Sequence, residues 1–280
     1  MADFANREYI YSTFWDEQGE ASDPFSAAHC YCCGYDVYGE LITKVSWIEY
    51  LYLLFLKQKP HPHQTRLLER LAIALANPGP RAHSVAAAMS AGAGGSTMAS
   101  CLMSALAVGA GNLGGAREVM HMIQIWHNCK TDLDRWREVV KTHAADNVDQ
   151  TSEDVWLLLE HVPGFNPNAG ICPTVVKQTL HHLAESSDKS SDNGYLIWLH
   201  QMRTELETIV GYPLSLAGVA ACALAELELE PETGEMLYLL LRLPGAAAHA
   251  LEQRKYGWKQ YPFFNGGLEL QKTPDAYSEG

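Results

Sequence analysis

The residues from 84 to 116 contain no charged side chain. Alanine, glycine, serine and methionine dominate this stretch, with only a few leucines and valines between them. A helix of this length could cross a bilayer, but side chains this small would make its transfer into lipid only weakly favourable. We therefore predict helices that pack with their backbones close together, in a core or between two subunits, and no membrane-spanning segment.

The same stretch ends in a glycine pattern, Gly109-Ala110-Gly111-Asn112-Leu113-Gly114, with the G-x-G-x-x-G spacing of dinucleotide-binding folds. That function needs a strand before the first glycine and an acidic residue about 20 positions downstream. Asp132 has the required distance but lies in a predicted helix cap. The preceding residues, STMASCLMSALAV, lack β-branched alternation and favour a helix. The glycines therefore predict a turn between two helices.

Most of the chain has helical patterns. Ser46 and Glu49 form a capping box before the apolar run at 47–56, and the segment after Pro62 carries leucines at helical spacing until residues 77–81 end it. Further helices are predicted over residues 82–89, 96–108, 115–129, 131–143, 152–161, 173–185, 195–210, 216–228 and 232–254. Alternating strand patterns are scarce, so the sequence predicts an all-α fold.

Composition limits the partners of such a protein. The 280 residues include 20 Lys and Arg against 33 Asp and Glu, a formal net charge of -13. Nucleic acid and anionic membranes need clustered basic residues, so we expect neither as a partner. Seven cysteines without framework spacing indicate reduced thiols, and the acidic N-terminus lacks the order of a signal peptide. We therefore expect a cytoplasmic protein.

Two groups of residues have side chains that can bind metals. His29-Cys30-Tyr31-Cys32-Cys33 contains thiolate and imidazole ligands suited to zinc, but a closed site needs four ligands and no second paired motif follows. A buried or interfacial thiol cluster is the alternative that we favour. His121 and His127 are six residues apart, so they do not share a helix face as ligands four apart would. We predict no metal site.

Several motifs, taken in order, resemble the citrate synthases and the shorter citryl-CoA lyases. Residues 34–77 resemble the N-terminal part of that family, and Asn112 to Ala116 with the helix REVMHMIQIW resemble its G-x-x-H-G-G-A turn and helix. VPGFNPNAG resembles the P-G-F-G-H loop, and GYPLSLAGVAACAL resembles the P-x-x-x-N-V-D-G helix start. LRLPGAAAHALEQ resembles the R-x-x-G-x-x-A-H-x-x-E-Q helix, so the resemblance covers residues 34–260.

This resemblance implies an all-α, citrate synthase-like fold and an intimate homodimer formed through the small-residue helices. It places a large helical domain with a C-terminal arm at 1–163 and 212–280, and a small helical domain at 164–211. It also implies a coenzyme A thioester as substrate or ligand, with no resident cofactor.

The chemistry of the family depends on two histidines and one aspartate. One histidine and the aspartate enolise an acyl-CoA thioester, while the second histidine acts at the carbonyl of oxaloacetate. In this chain the matching positions hold Leu113, Pro167 and Ala217. None of these side chains can carry a proton, so the catalytic residues are unknown and the family's usual mechanism is not expected.

The resemblance also indicates where a ligand pocket would lie. Arg242 matches one of the family's carboxylate-binding arginines, whereas Ile171-Cys172-Pro173-Thr174 stands where the family has D-P-R, and Lys259-Gln260-Tyr261 where it has R-P. His83 and Ser84 lie near the expected cleft and are replacement candidates for proton transfer, although no adjacent acid or base completes a triad. The matched turns supply the other candidates, Asn112, Gly114, Gly164, Phe165 and Asn166.

Two functions remain open at this stage. The first is an acyl-CoA-dependent carbon-carbon lyase or acyltransferase of this superfamily with replaced catalytic residues. The second is a non-catalytic relative, a pseudoenzyme that acts as a binding or regulatory subunit. Neither function predicts that the protein makes citrate or cleaves citryl-CoA.

Overall fold

A computed structural model describes residues 11–148, 161–187 and 194–262. This part of the chain is mainly helical, which confirms the predicted all-α class; the helix predicted at 152–161 lies, except for its last residue, outside the described residues. The helices are α1 (Ile42–Lys44), α2 (Trp47–Leu56), α3 (Pro62–Ala76), α4 (His83–Ala93), α5 (Met98–Gly109), α6 (Ala116–Cys129), α7 (Leu133–Val148), α8 (Thr174–Ala184), α9 (Tyr195–Val210), α10 (Leu216–Glu226) and α11 (Pro231–Tyr256).

A small antiparallel sheet precedes the helices. Its strands are β1 (Trp15–Gly19), β2 (Ala27–Cys32) and β3 (Tyr35–Asp36), in the order β1-β2-β3. Trp15 is the Cα partner of Cys32 on β2. Sequence reasoning missed this sheet because the buried and half-buried alternation of β2 is confined to its last three residues.

The ends of α2 follow from local chemistry. The Ser46 hydroxyl accepts a hydrogen bond from the backbone N–H of Glu49, and the Glu49 carboxylate accepts one from the Ser46 N–H at 2.8 Å. This reciprocal pair confirms the predicted capping box. At the other end, Lys57 adopts a left-handed conformation and its N–H donates to the Leu53 carbonyl at 2.8 Å, which ends the helix.

The chain divides into two compact units. The first consists of residues 1–76 and 110–242, and the second of residues 77–109 and 243–280. The predicted small domain at 164–211 falls within the first unit, and its residues Leu180 and Leu199 belong to that unit's buried cluster. The boundaries between these two units differ from those of the predicted large and small domains. The predicted small domain stays a prediction.

The core of the first unit surrounds Trp126 of α6. The fully buried indole packs edge-on against Trp136 at a centroid distance of 5.0 Å and stacks on Tyr195 at 5.4 Å. The small side chains of α10, buried from Ala217 to Ala225, allow this helix to pack along α6.

The second unit contains the charge-free helices. Val85 and Ala88 of α4 are buried with Cys101 of α5 and with Ala250 near the end of α11. A Cβ atom on Gly92 would lie 2.4 Å from the Ala250 carbonyl oxygen, so the glycine permits this backbone approach. Among the described residues, no helix combines the length and the apolar character that a membrane span requires.

We expect Trp126→Ala to lower the free energy of unfolding by about 3–5 kcal/mol, because the substitution leaves a cavity in the aromatic core. Urea unfolding followed by circular dichroism measures this change. Trp47→Ala is the matched control: Trp47 is 67% exposed, so its removal should change stability by less than about 0.5 kcal/mol. Equal losses in the two variants would contradict this description of the core.

Candidate functional site

The glycine-rich turn between α5 and α6 is held by the buried carboxylate of Glu118. This residue lies in the first turn of α6 and is 3% exposed. One carboxylate oxygen accepts from the Gly114 N–H, and the other accepts from the Gly164 N–H at 2.8 Å. A single side chain thereby joins the turn at 112–115 to the loop that begins at Gly164. Because α5 runs directly into this turn, the prediction of a helix-to-helix connection is confirmed.

The environment of Glu118 has opposing effects on its ionisation. Burial raises the pKa of this carboxyl above its usual range, whereas the N–H donors of Gly164 and Gly114 lower it by stabilising the carboxylate. Sequence reasoning missed this residue, because an acidic side chain in the first turn is a common feature of helices. The available signal was Gly115, an N-cap residue that has no side chain to satisfy the turn.

Gly164 and Gly218 allow the loop to lie directly against the start of α10. Gly164 has a φ of +86°, and a Cβ atom on Gly218 would lie 2.2 Å from the Gly164 carbonyl oxygen. That oxygen accepts from both the N–H and the hydroxyl of Ser215, at 3.0 and 2.9 Å. The Ser215 hydroxyl also accepts from the Gly218 N–H, so it caps α10 while holding the loop.

The residues after Gly164 are anchored to the same segment. Phe165 is 1% exposed and forms an isolated antiparallel bridge with Leu214. The Asn166 N–H donates to the Pro213 carbonyl at 2.8 Å. The loop therefore has a defined position up to the exposed Pro167.

Arg242 also contacts the glycine-rich turn. Its Nη1 donates to the Gly114 carbonyl and to the Tyr238 hydroxyl, both at 2.9 Å, and its guanidinium carbon lies 4.9 Å from the centre of the Tyr238 ring. Burial raises the pKa of Tyr238, and the positive charge of Arg242 opposes that shift. The Nε of Arg242 is buried without a protein partner, so the guanidinium retains donor capacity.

A second charged group lies along α6. Arg117 forms an ion pair with Glu235 at 3.3 Å. Burial lowers the pKa of His121, Arg117 lowers it further, and Glu235 raises it. His121 therefore favours its neutral form beside this ion pair.

The three elements that carry the expected catalytic positions meet at this network. Leu113 precedes Gly114 and is 69% exposed, Pro167 follows the Gly164 loop, and Ala217 precedes Gly218 and is 6% exposed. None of the three positions has an ionisable side chain. Glu118 is the buried acid of this network, and each of its carboxylate oxygens accepts a hydrogen bond from a backbone N–H.

The sequence-predicted pocket residues are divided between the two units. Gly114, Gly164, Phe165, Asn166 and Arg242 are connected through the hydrogen bonds just described, and Asn112 is exposed in the same turn. His83, which is exposed, and Ser84, which is buried, begin α4 in the second unit.

The thiols of Cys30 and Cys32 belong to the small sheet, and Cys33 follows directly after its strand β2. Cys30 and Cys32 are buried on β2, and burial raises the pKa of both thiols. Within the described residues, these side chains do not form a group of three or more potential metal ligands.

Comparison with known proteins identifies the fold. No protein-family profile matches the sequence, and no curated protein sequence matches it. Citryl-CoA lyase from Hydrogenobacter thermophilus is similar in structure, with a TM-score of 0.67 at 16% identity, covering 96% of this chain and 98% of that one. ATP citrate lyase from Methanothrix soehngenii, in complex with citrate and coenzyme A, gives 0.68 at 17% identity over 97% of this chain, which spans 44% of that protein.

Citrate synthase from Thermoplasma acidophilum, in a ternary complex with carboxymethyl coenzyme A and oxaloacetate, gives a TM-score of 0.52 at 17% identity. It covers 82% of this chain and 60% of that one. The chain therefore has the citrate synthase-like helical fold. Over nearly its whole length it is similar in structure to citryl-CoA lyase, and the fold that the ordered motifs predicted is confirmed.

Gly218→Ala should destabilise the protein by about 1–3 kcal/mol, because the new methyl group would collide with the Gly164 carbonyl. At an unconstrained helical position the same change would stabilise by about 1 kcal/mol. Gly170→Ala is the control, since no atom lies within 4 Å of its added Cβ. Urea unfolding should separate the two variants, and a stabilising Gly218→Ala would refute the close approach.

The stability that depends on Glu118 should vary with pH. Since burial raises its pKa above the ordinary 4.5, the folded protein holds this proton more tightly than the unfolded chain does. The corresponding stability is present at low pH and is lost as the pH rises from about 4.5 through the folded-state pKa. The unfolding free energy of the wild type, relative to Glu118→Gln, should therefore fall with rising pH.

Urea unfolding at a series of pH values tests this dependence. Glu69→Gln, at an exposed position of α3, controls for general charge effects. A wild-type advantage over Glu118→Gln that grows with pH would contradict the expected sign.

Proposed function

We propose that this protein binds a coenzyme A thioester in its citryl-CoA lyase-like fold and acts on it with altered chemistry, neither making nor cleaving citrate. The observation that carries this proposal is the Glu118 connection between Gly114 and Gly164. It keeps together the turn and the loop that bear the expected catalytic positions, although those positions have lost their proton carriers.

Local charge supports an anionic ligand at this position. The chain is acidic overall, with a formal net charge of -13, so an anion needs a local cation. Arg242 provides one beside the glycine turn, and its buried Nε is a donor without a protein partner. The phosphate groups of coenzyme A, and the free carboxylate of an acyl group derived from a dicarboxylic or tricarboxylic acid, match a guanidinium donor.

The residues at the expected catalytic positions argue against the ordinary reaction. General acid or base catalysis contributes about 10² to 10⁴ in rate per group, so the replacement of three such groups by Leu113, Pro167 and Ala217 removes most of it. A different reaction on the thioester would need other groups, and His83 and Ser84 are the candidates that the resemblance supplies.

A non-catalytic binding or regulatory subunit is the second candidate. It is favoured by the position of Glu118, because each oxygen of this buried carboxylate accepts a backbone N–H, which gives the acid a role in holding the loops. For both candidate functions we propose a homodimer in which two copies pair through α4 and α5. Met103 and Val108, which are 60% and 45% exposed on α5, supply apolar surface for that contact.

A thermal-shift titration tests the ligand. We expect coenzyme A or an acyl-CoA ester to raise the Tm saturably, because a ligand that binds only the folded state stabilises it. Arg242→Ala should weaken the apparent affinity at least tenfold, whereas Arg254→Ala, an exposed arginine on the same helix, should leave it unchanged. The Tm without ligand separates lost binding from a general loss of stability.

Activity assays distinguish an enzyme with altered chemistry from a non-catalytic subunit. Neither predicts citrate formation from acetyl-CoA and oxaloacetate or cleavage of citryl-CoA, so robust turnover of either kind would refute the proposal. Turnover of another acyl-CoA ester supports altered chemistry. If no CoA species raises the Tm and the protein co-purifies with an active relative, the subunit role is supported instead.

A further inference from the structure

The C-terminal end of α8 gathers three potential metal ligands away from the glycine turn. His181, His182 and Glu185 each offer a ligand atom, and these atoms all lie within 4.8 Å of one another. One Glu185 oxygen lies 3.5 Å from Nε2 of His181, and the other lies 3.4 Å from Nδ1 of His182. Two imidazoles therefore converge on one carboxylate.

A third imidazole lies beside His181 on the next helix, outside the group of ligand atoms within 4.8 Å of one another. The ring of His200 on α9 lies 5.4 Å, centre to centre, from the ring of His181, about the same as the 5.3 Å between His181 and His182. Leu180 of α8 and Leu199 of α9 are buried in the same core cluster. Helix packing therefore fixes the backbones, while the imidazole and carboxylate side chains are exposed.

We propose that His181, His182 and Glu185, with His200 as the fourth ligand, bind a divalent transition-metal ion such as Zn²⁺. Imidazole nitrogens with one carboxylate suit Zn²⁺, Ni²⁺ and Cu²⁺, whereas Mg²⁺ and Ca²⁺ require a shell of oxygens. Zn–N bonds of about 2.0–2.1 Å place tetrahedral ligand atoms about 3.3 Å apart. Rotation of the side chains, of which His181 is 53% and His182 64% exposed, can close the present separation.

The surroundings of this group have opposing effects on the binding of a cation. His181 and His182 lie in the last turn of α8, where the negative end of the helix dipole favours a cation. Arg70 of α3 lies 4.0 Å from a Glu185 oxygen and opposes a second positive charge. Its Nη1, however, also donates to the His182 carbonyl at 2.7 Å and to the Ser186 hydroxyl at 2.8 Å, so Arg70 helps to hold the end of the helix that presents the ligands.

A bound ion would connect α8 to α9 and stabilise the folded state. This site does not depend on the proposed thioester function. The prediction of no metal site considered only the run at 29–33 and the pair His121 and His127. His181 and Glu185 are four residues apart at the end of one helix, whereas His200 lies 15 positions beyond Glu185 and approaches His181 only through helix packing.

Isothermal titration of the full chain with ZnCl₂, in a buffer that does not chelate metals, tests the site. We expect one equivalent to bind, with a rise in Tm. His182→Ala and Glu185→Gln should each weaken binding at least tenfold while leaving the metal-free Tm unchanged. His200→Ala should do the same if the ion bridges the helices, and unchanged affinity in that variant would overturn the bridge.

The double variant His61→Ala/His63→Ala is the matched control, because it removes another imidazole pair, with ring centres 5.7 Å apart. Equal loss of binding in this control and in His181→Ala/His182→Ala would overturn the proposal, as would the absence of Zn²⁺ binding by the wild type. A Co²⁺ spectrum tests the ligand type: a thiolate charge-transfer band would assign the ion to cysteines and overturn the site.

Discussion

The buried carboxylate of Glu118 is the interaction on which the arrangement of the first unit's loops depends. A glycine turn has no side chains with which to hold its own position, and its backbone N–H groups need acceptors wherever they are removed from water. Glu118 supplies one to Gly114 and one to Gly164. These donors offset part of the unfavourable burial of the carboxyl group, and two segments that are 50 residues apart in the chain are brought together.

Close backbone contact is the second constraint. The Gly164 carbonyl lies so close to Gly218 that a methyl group would not fit, and Gly92 has the same relation to Ala250 in the second unit. Small residues thus serve the same purpose in both units: they let backbones approach to distances at which dispersion and hydrogen bonds substitute for side-chain contacts. This explains why a stretch without charge or large apolar groups can form part of a stable helical protein.

In the proposed function, a framework remains while the chemistry differs. Glu118, Ser215 and Arg242 hold the turn and the loop together, whereas Leu113, Pro167 and Ala217, which stand at the catalytic positions that the motif resemblance predicts, have no side chains that can transfer protons. Framework and chemistry are separable because the framework depends on backbone hydrogen bonds, whereas catalysis depends on a few side chains at its edge. A binding function can therefore outlast the reaction.

The sequence by itself determined the helices of this protein, since capping residues such as Ser46 and helical spacing act within a few positions, and it indicated the fold through the order of its motifs. Through the same motifs it also predicted Leu113, Pro167 and Ala217 at the catalytic positions, which stays a prediction. Only the tertiary structure decided the partners of Glu118, the contact between Gly164 and Gly218, the division into units and the approach of His200 to His181. The physical reason is distance along the chain: local patterns report hydrogen bonds between near neighbours, whereas these contacts arise when packing brings remote segments together.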